Sequence, residues 1–488
     1  MEAFLPIMSA PDSAQLLAEY GTRLDAVHSQ PELRLVLQIE MVDQADRGAH
    51  ELLQQLEAGY FAGGGNAESA EQSRVGGAVS LYGAQLEAAY MHLVRQFQTY
   101  SRGWAEAGDK LPMVVARAMR ATSMRLKWQL VRYLPVEKDL WQTLSQLWAF
   151  VEDKGMGHAR VVVYEDKSTL PREFLKPMML AVSAADSLPA LEVDIANRVI
   201  DHLSDRFELQ RHPSKACNFF VDIDRWTPPE RYTPVSVLRP GARFFGAGRL
   251  MTQIDELVSR LAGGEIEPRE MNLEGISDMG AVIHVLEHLG RHWWERRPER
   301  RTERRRSLSK IGVIHGFNEI IAQFALDDVS GQIHPPAEMW GIENESDDGY
   351  GAVLPMGRGD WLHVGKVLAV KPADSRIWAV GIVRRLAAQA AGQRNIGIEL
   401  LARGARLVTL RQRTDAQKIW QALLMPSRSG GDASLGDVSL LLPVGSFLPD
   451  SSLEMEVYST RYILEPRLLL EQGTEFEMAR YRILQRVA

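Results

Sequence analysis

The chain holds one cysteine, Cys217, so it can form no intramolecular disulfide, as suits a reducing cytoplasm. No apolar run approaches the ~20 residues that a membrane helix needs. The first residues, MEAFLPIMSAPDSAQ, lack the basic start and apolar core of a secretory signal. These absences predict a soluble, cytoplasmic protein. Motifs that carry chemistry are missing too: there is no GxSxG elbow, no GxGxxG dinucleotide fingerprint and no CxxC. Three glycines at 63–65 have neither a preceding strand nor a following Lys-Ser/Thr, which removes the phosphate-loop reading. Charge is not one-sided either. A net charge of −7 and a pI near 6.0 argue against a general nucleic-acid binder, though not against a local basic patch.

What is present divides the chain. At 488 residues, 45% of them hydrophobic, it has material for several cores. Apolar residues at mixed three- and four-residue spacing predict helices over 12–60, 80–102, 111–134, 135–155, 169–185, 188–207, 248–263 and 277–296. The segment 61–80, FAGGGNAESAEQSRVGGAVS, reads as a linker. CNFFVDID (217–224) reads as a strand. From residue 308 the pattern changes to short alternating runs separated by Gly, Pro and Asp, which predicts β-structure.

A basic run sits at this change. Between Arg291 and Arg306 there are eight Arg and three Glu. Alone, such a run reads as a solvated helix face. Downstream, however, Asn344-Glu345-Ser346-Asp347-Asp348-Gly349 fits [D/N]xSxxG, while Arg300 and Arg304 fit RxxxR, with Arg301 and Arg305 as an alternative register. Guanidinium is a planar fork that grips phosphate and can pair with the O6 and N7 edge of guanine. In a strand, Asn344 and Ser346 face the same way. Gly349 would permit a sharp turn or close backbone approach.

This ordered pair resembles the signature of PilZ domains, bacterial receptors for cyclic di-GMP. The resemblance implies an Arg strap that closes over the dinucleotide on a six-stranded barrel. Arg300 and Arg304 would then contact phosphate and guanine, Asn344 and Ser346 a guanine edge, and Gly349 would hold the turn. The separation of Arg304 from Asn344 is long for the family. The expectation is therefore an α+β multidomain protein. A helical scaffold (1–295) precedes a strap and PilZ-like antiparallel barrel (296–410) and a C-terminal β extension (411–488). Its function would be cyclic di-GMP reception without catalysis or cofactor, transmitted to a protein partner through the helical half.

Two other readings compete. The first is a degenerate barrel with a structural or interaction role and no nucleotide. The second rests on His284-Val285-Leu286-Glu287-His288, an HxxEH pattern that puts two His on one helix face with Glu287 as general base, as in inverted zinc peptidases. A third ligand on a later helix is needed, and the chain runs instead into Arg-rich sequence and β-structure. Trp293 and Trp294 are better read as packing residues than as base-stacking ones.

Overall fold

The computed structural model describes residues 10–28, 33–62, 70–99, 105–237, 239–294, 303–327, 337–355, 361–375, 377–389, 392–415, 417–426, 436–457 and 460–487. The chain divides into two compact units, Met1–Glu299 and Arg300–Ala488.

The first unit is mainly helical. Helices α1 (Ala10–His28), α2 (Leu35–Ala62), α3 (Ala70–Thr99), α4 (Leu111–Val131) and α5 (Lys138–Asp153) precede a hairpin of β1 (Arg160–Val163) and β2 (Asp166–Thr169). Then come α6 (Leu170–Ala181) and α7 (Ala190–Leu203), followed by a small antiparallel sheet. Its strands are β3 (Glu208–Gln210), β4 (Phe219–Asp222), β5 (Glu230–Arg231) and β6 (Ala242–Gly246), in the order β3-β6-β4-β5. Helices α8 (Ile254–Ala262) and α9 (Met279–Trp293) close the unit. The reasons are local. In α5, Leu140, Trp141, Leu144, Leu147, Trp148 and Val151 recur on one face and are all buried. Thr169 caps α6 by accepting from the Arg172 amide, and Asp278 caps α9 by accepting from that of Ala281.

One hydrophobic core runs from Leu17 to Trp293. Through it α4 threads four basic side chains, each met by acids from neighbouring helices. Arg117 donates to Asp46 of α2, which also accepts from the Tyr90 and Tyr164 hydroxyls. Arg120 grips Glu173 of α6 through two bonds of 3.1 and 3.0 Å. Arg125 reaches Glu87 of α3 at 2.8 Å, and Lys127 reaches Glu57 of α2 at 2.9 Å and Asp194 of α7. Burial alone would raise the Glu173 carboxyl, but Lys176 and Arg120 together hold it at about 2. Removing one partner from such a buried pair costs about 3–5 kcal/mol, so these contacts enforce one helix arrangement.

One expectation changes here. The reading of 61–80 as a linker gives way to helix from Ala70 onward, with Val75, Gly76 and Val79 buried along α3. Gly76 and Gly77 lower helix propensity by about 1 kcal/mol each, which burial of their apolar neighbours offsets.

The second unit consists of two antiparallel barrels. The first contains β8 (Lys310–His315), β9 (Glu338–Ser346), β10 (Gly349–Pro355), β11 (Val367–Pro372), β12 (Ala379–Gln389) and β13 (Gln393–Arg403). They follow the order β10-β13-β12-β11-β8-β9, and β9 pairs back with β10 to close the ring. A short strand β7 (Arg305–Arg306) pairs with the same edge of β9 as β8 does, further along it. Helix α10 (Phe317–Asp327) is inserted between β8 and β9, which accounts for the long gap between the two motifs.

The second barrel closes in the order β14-β15-β16-β19-β18-β17. Its strands are β14 (Arg406–Gln412), β15 (Ile419–Met425), β16 (Asp437–Pro443), β17 (Leu453–Val457), β18 (Thr460–Gln472) and β19 (Phe476–Val487). The ARLVTL run, which by sequence resembles one more strand of the first barrel, is β14. It pairs with β15 and β17 instead, because Gly404 turns the chain away with φ of 70°. Helix α10 packs its Phe317, Ile320, Ile321 and Phe324 into a core shared by β11, β12 and the second barrel's Leu423, Leu441 and Phe476. Ion pairs tie the barrels further: Lys366 to Glu475, and Arg384 to Glu471 by bonds of 2.6 and 2.7 Å.

Candidate functional site

The site begins with a defect in β9. Trp340 and Ile342 point into the first barrel and are buried. Strict alternation would send Asn344 and Ser346 inward after them. The register prevents this. Gly351 pairs with Asn344 and Ala352 with Ile342, so Glu343 is an extra residue, a β-bulge. Directly paired residues share a face. Ala352 and Tyr350 are buried inside the barrel, so Gly351 and Gly349 face out, and with them their partners Asn344 and Ser346. A bulge of this kind re-aims side chains without ending the strand.

Onto this outer face comes the end of the Arg run. Arg306 pairs with Asn344 and Arg305 with Glu345 in the β7–β9 ladder. Arg304 donates from Nη1 to the Asn344 side-chain oxygen at 2.9 Å, across forty positions of sequence. Ser346 Oγ approaches the Gly349 carbonyl at 3.5 Å, across the tight turn that carries Asp347 and Asp348. Arg300 and Arg301 lie outside the described residues.

The glycines have specific reasons to be glycine. A Cβ on Gly349 would stand 2.0 Å from the Ile398 backbone oxygen of β13. Gly349 thus serves close strand approach; it is absent from the positive-φ glycines, so no left-handed turn demands it. A Cβ on Gly351 would meet the Asn344 side-chain oxygen at 2.6 Å, so that the Asn344 amide lies over Gly351. Motif reading missed Gly351. The alternation Gly349-Tyr350-Gly351, two small residues on one strand face, was the available signal.

Two family models match the chain. One, described as the N-terminal domain of the cyclic-di-GMP receptor FimW, covers residues 3–214; the other, described as that receptor's middle PilZ domain, covers residues 322–406. The chain belongs to the PilZ-domain family of cyclic-di-GMP receptors. Together the models span about three fifths of its length. No curated protein matches it significantly. The PilZ match includes Asn344, Ser346 and Gly349 and begins downstream of Arg304, whose bond to Asn344 is seen in the structure alone.

The HxxEH pattern leads elsewhere in the structure. His288 is buried on α9, with Nε2 at 2.7 Å from the Ser183 carbonyl, and burial followed by the neighbouring His292 holds its pKa down to about 3. His284 meets Glu192 at 2.9 Å, and this hydrogen bond raises its pKa. Glu287 is exposed on the helix. Among the described residues no three His, Cys, Asp or Glu converge as a metal shell. Trp293 is buried and donates to Ser183 Oγ at 2.9 Å, so the end of α9 is seated by packing. Among the described residues no helix is long and apolar enough to cross a membrane.

Proposed function

We propose that this protein is a non-enzymatic cytoplasmic receptor that binds cyclic di-GMP on the outer face of the PilZ barrel and signals to a protein partner through its helical unit. The observation that carries the reading is the Arg304–Asn344 bond, which brings the two motifs together on a face aimed outward by the β9 bulge. Arg304 and Arg300 supply charge-assisted contacts to phosphate and guanine. Asn344 and Ser346 bond the guanine edge. The alternative register, Arg301 with Arg305, is less favoured, since β7 holds Arg305 opposite Glu345.

Transmission follows from connectivity. The strap is the chain between Trp293, where α9 ends, and Arg305, where β7 begins. The eight Arg between Arg291 and Arg306 repel one another, and a dianion neutralises part of that charge. Ligand shifts the strap only by the extra contacts available when it lies on β9. Calorimetry at micromolar protein tests the receptor reading, with a metal assay on the same sample. No binding to wild-type protein would hand the case to a degenerate barrel, and one zinc per chain would reopen the His284/His288 reading. Hydrogen exchange tests transmission. Protection is expected to rise over 296–308 and 340–352, with a smaller change in α9; an unchanged α9 at saturating ligand would restrict the response to the strap.

A further inference from the structure

The register of the PilZ barrel defines a row across five strands. Arg306 of β7 pairs with Asn344 of β9, Asn344 with Gly351 of β10, Gly351 with Gly397 of β13, and Gly397 with Arg385 of β12. All five lie on the outer face, because the residues that flank the row are buried inside: Tyr350, Ala352, Ile396, Ile398, Val383 and Leu386. The middle of the row is two glycines, so the sheet there is a floor without side chains. A Cβ on Gly397 would stand 3.1 Å from Arg385 Cβ, as one on Gly351 would crowd Asn344. Each end of the floor therefore carries a polar side chain that needs the glycine beside it.

The two ends are built alike. At the near end the β9 bulge at Glu343 turns Asn344 outward. At the far end a second bulge, between Val383 and Arg385, makes Arg384 the extra residue and turns Arg385 outward. Arg384 is committed to Glu399 at 2.8 Å and to Glu471 of the second barrel. This clamps the bulge, and Arg385 itself is exposed. At about 4.8 Å per strand, Asn344 and Arg385 stand about 14 Å apart along the sheet. A cyclic dinucleotide with one guanine on each side of its phosphate ring matches a platform with a polar reader at each end.

We propose that Arg385 is a second guanine-reading residue: Asn344, Ser346 and Arg304 hold one base, and Arg385 takes the O6/N7 edge of the other across the Gly351–Gly397 floor. Guanidinium matches those two acceptors, whereas adenine presents the N6 donor at the same position. The inference rests on the receptor reading above. It adds selection for guanine in both halves of the ligand.

The test compares cyclic di-GMP with 3′,3′-cyclic GMP-AMP on the full chain, for wild type, Arg385→Ala and Arg385→Gln. The mixed ligand places its guanine at the Asn344 end and its adenine at Arg385. Wild type is expected to prefer cyclic di-GMP at least tenfold. Both variants are expected to lose about tenfold in cyclic di-GMP affinity and to bind the two ligands within about twofold of each other. A preference retained in both variants, whether or not affinity falls, overturns the role of Arg385 while leaving the receptor reading intact. Wild-type protein that binds neither ligand overturns both. Thermal melts confirm that the exposed substitution leaves the fold in place.

Discussion

Replacing Gly351 by Ala is the sharpest test of how the site is aimed. The new methyl carbon would lie 2.6–2.8 Å from three atoms of the Asn344 side chain. Carbon atoms pack at about 3.5–4.0 Å, so the amide must swing off the floor. Asn344 is only half-buried, and moving a side chain that reaches solvent costs little, about 1 kcal/mol or less. The bond from Arg304 is lost with the movement. Affinity falls because the displaced amide no longer meets the guanine edge, and a neutral hydrogen bond contributes about 0.5–1.5 kcal/mol, up to about tenfold. Gly341 on β9 is the control, because a Cβ there meets nothing within 4 Å. Calorimetry should show Gly351→Ala weakened about tenfold and Gly341→Ala unchanged, both with near-native melting. A double-mutant cycle decides the cause: in an Asn344→Ala background, Gly351→Ala should add almost nothing. If it costs the full tenfold there as well, Asn344 is not the route and the reasoning is wrong.

Other outcomes follow from the same geometry. Arg304→Ala removes a charge-assisted donor and should weaken cyclic di-GMP by more than tenfold, whereas Ser346→Ala, losing a neutral bond, should cost less; equal effects in titration would contradict the assignment. Gly349→Ala should destabilise the barrel by about 1–3 kcal/mol, since the clash is with backbone that cannot step aside; an unchanged melting curve would count against it. Acid should loosen the helical unit through His288. His288 is held neutral down to about 3 while the unfolded chain takes its proton near 6.5, so the unfolded state binds more protons and stability falls as pH drops below 6.5. By pH 5 this amounts to about 2 kcal/mol, and His288→Gln should flatten that slope in denaturant titrations.

Much of the chain was legible from residue pattern. Helices of the first unit announced themselves because burying one face at three- and four-residue spacing is a local requirement, as in α5. The change to β-structure after residue 308 was legible for the same reason at period two. The ordered pair of motifs pointed to the family because phosphate and guanine recognition needs those groups wherever they sit in the fold. Helix α10 was within reach, since Phe317, Ile320, Ile321 and Phe324 keep helical spacing. The expectation of strands from residue 308 onward covers it, because the helix is only 11 residues long between strands.

Tertiary structure alone decided the rest. Which strand pairs with which is a long-range choice, so nothing local to ARLVTL says that β14 belongs to the second ring rather than the first. Nor does alternation reveal a bulge. One extra residue at Glu343 reverses the face of everything after it, and only the partner strand records that the residue is extra. The aim of Asn344 and Ser346, the position of Arg385 and the need for Gly351 and Gly397 all follow from register. Register is set by closing the barrel around its buried side chains, which no single segment of sequence contains.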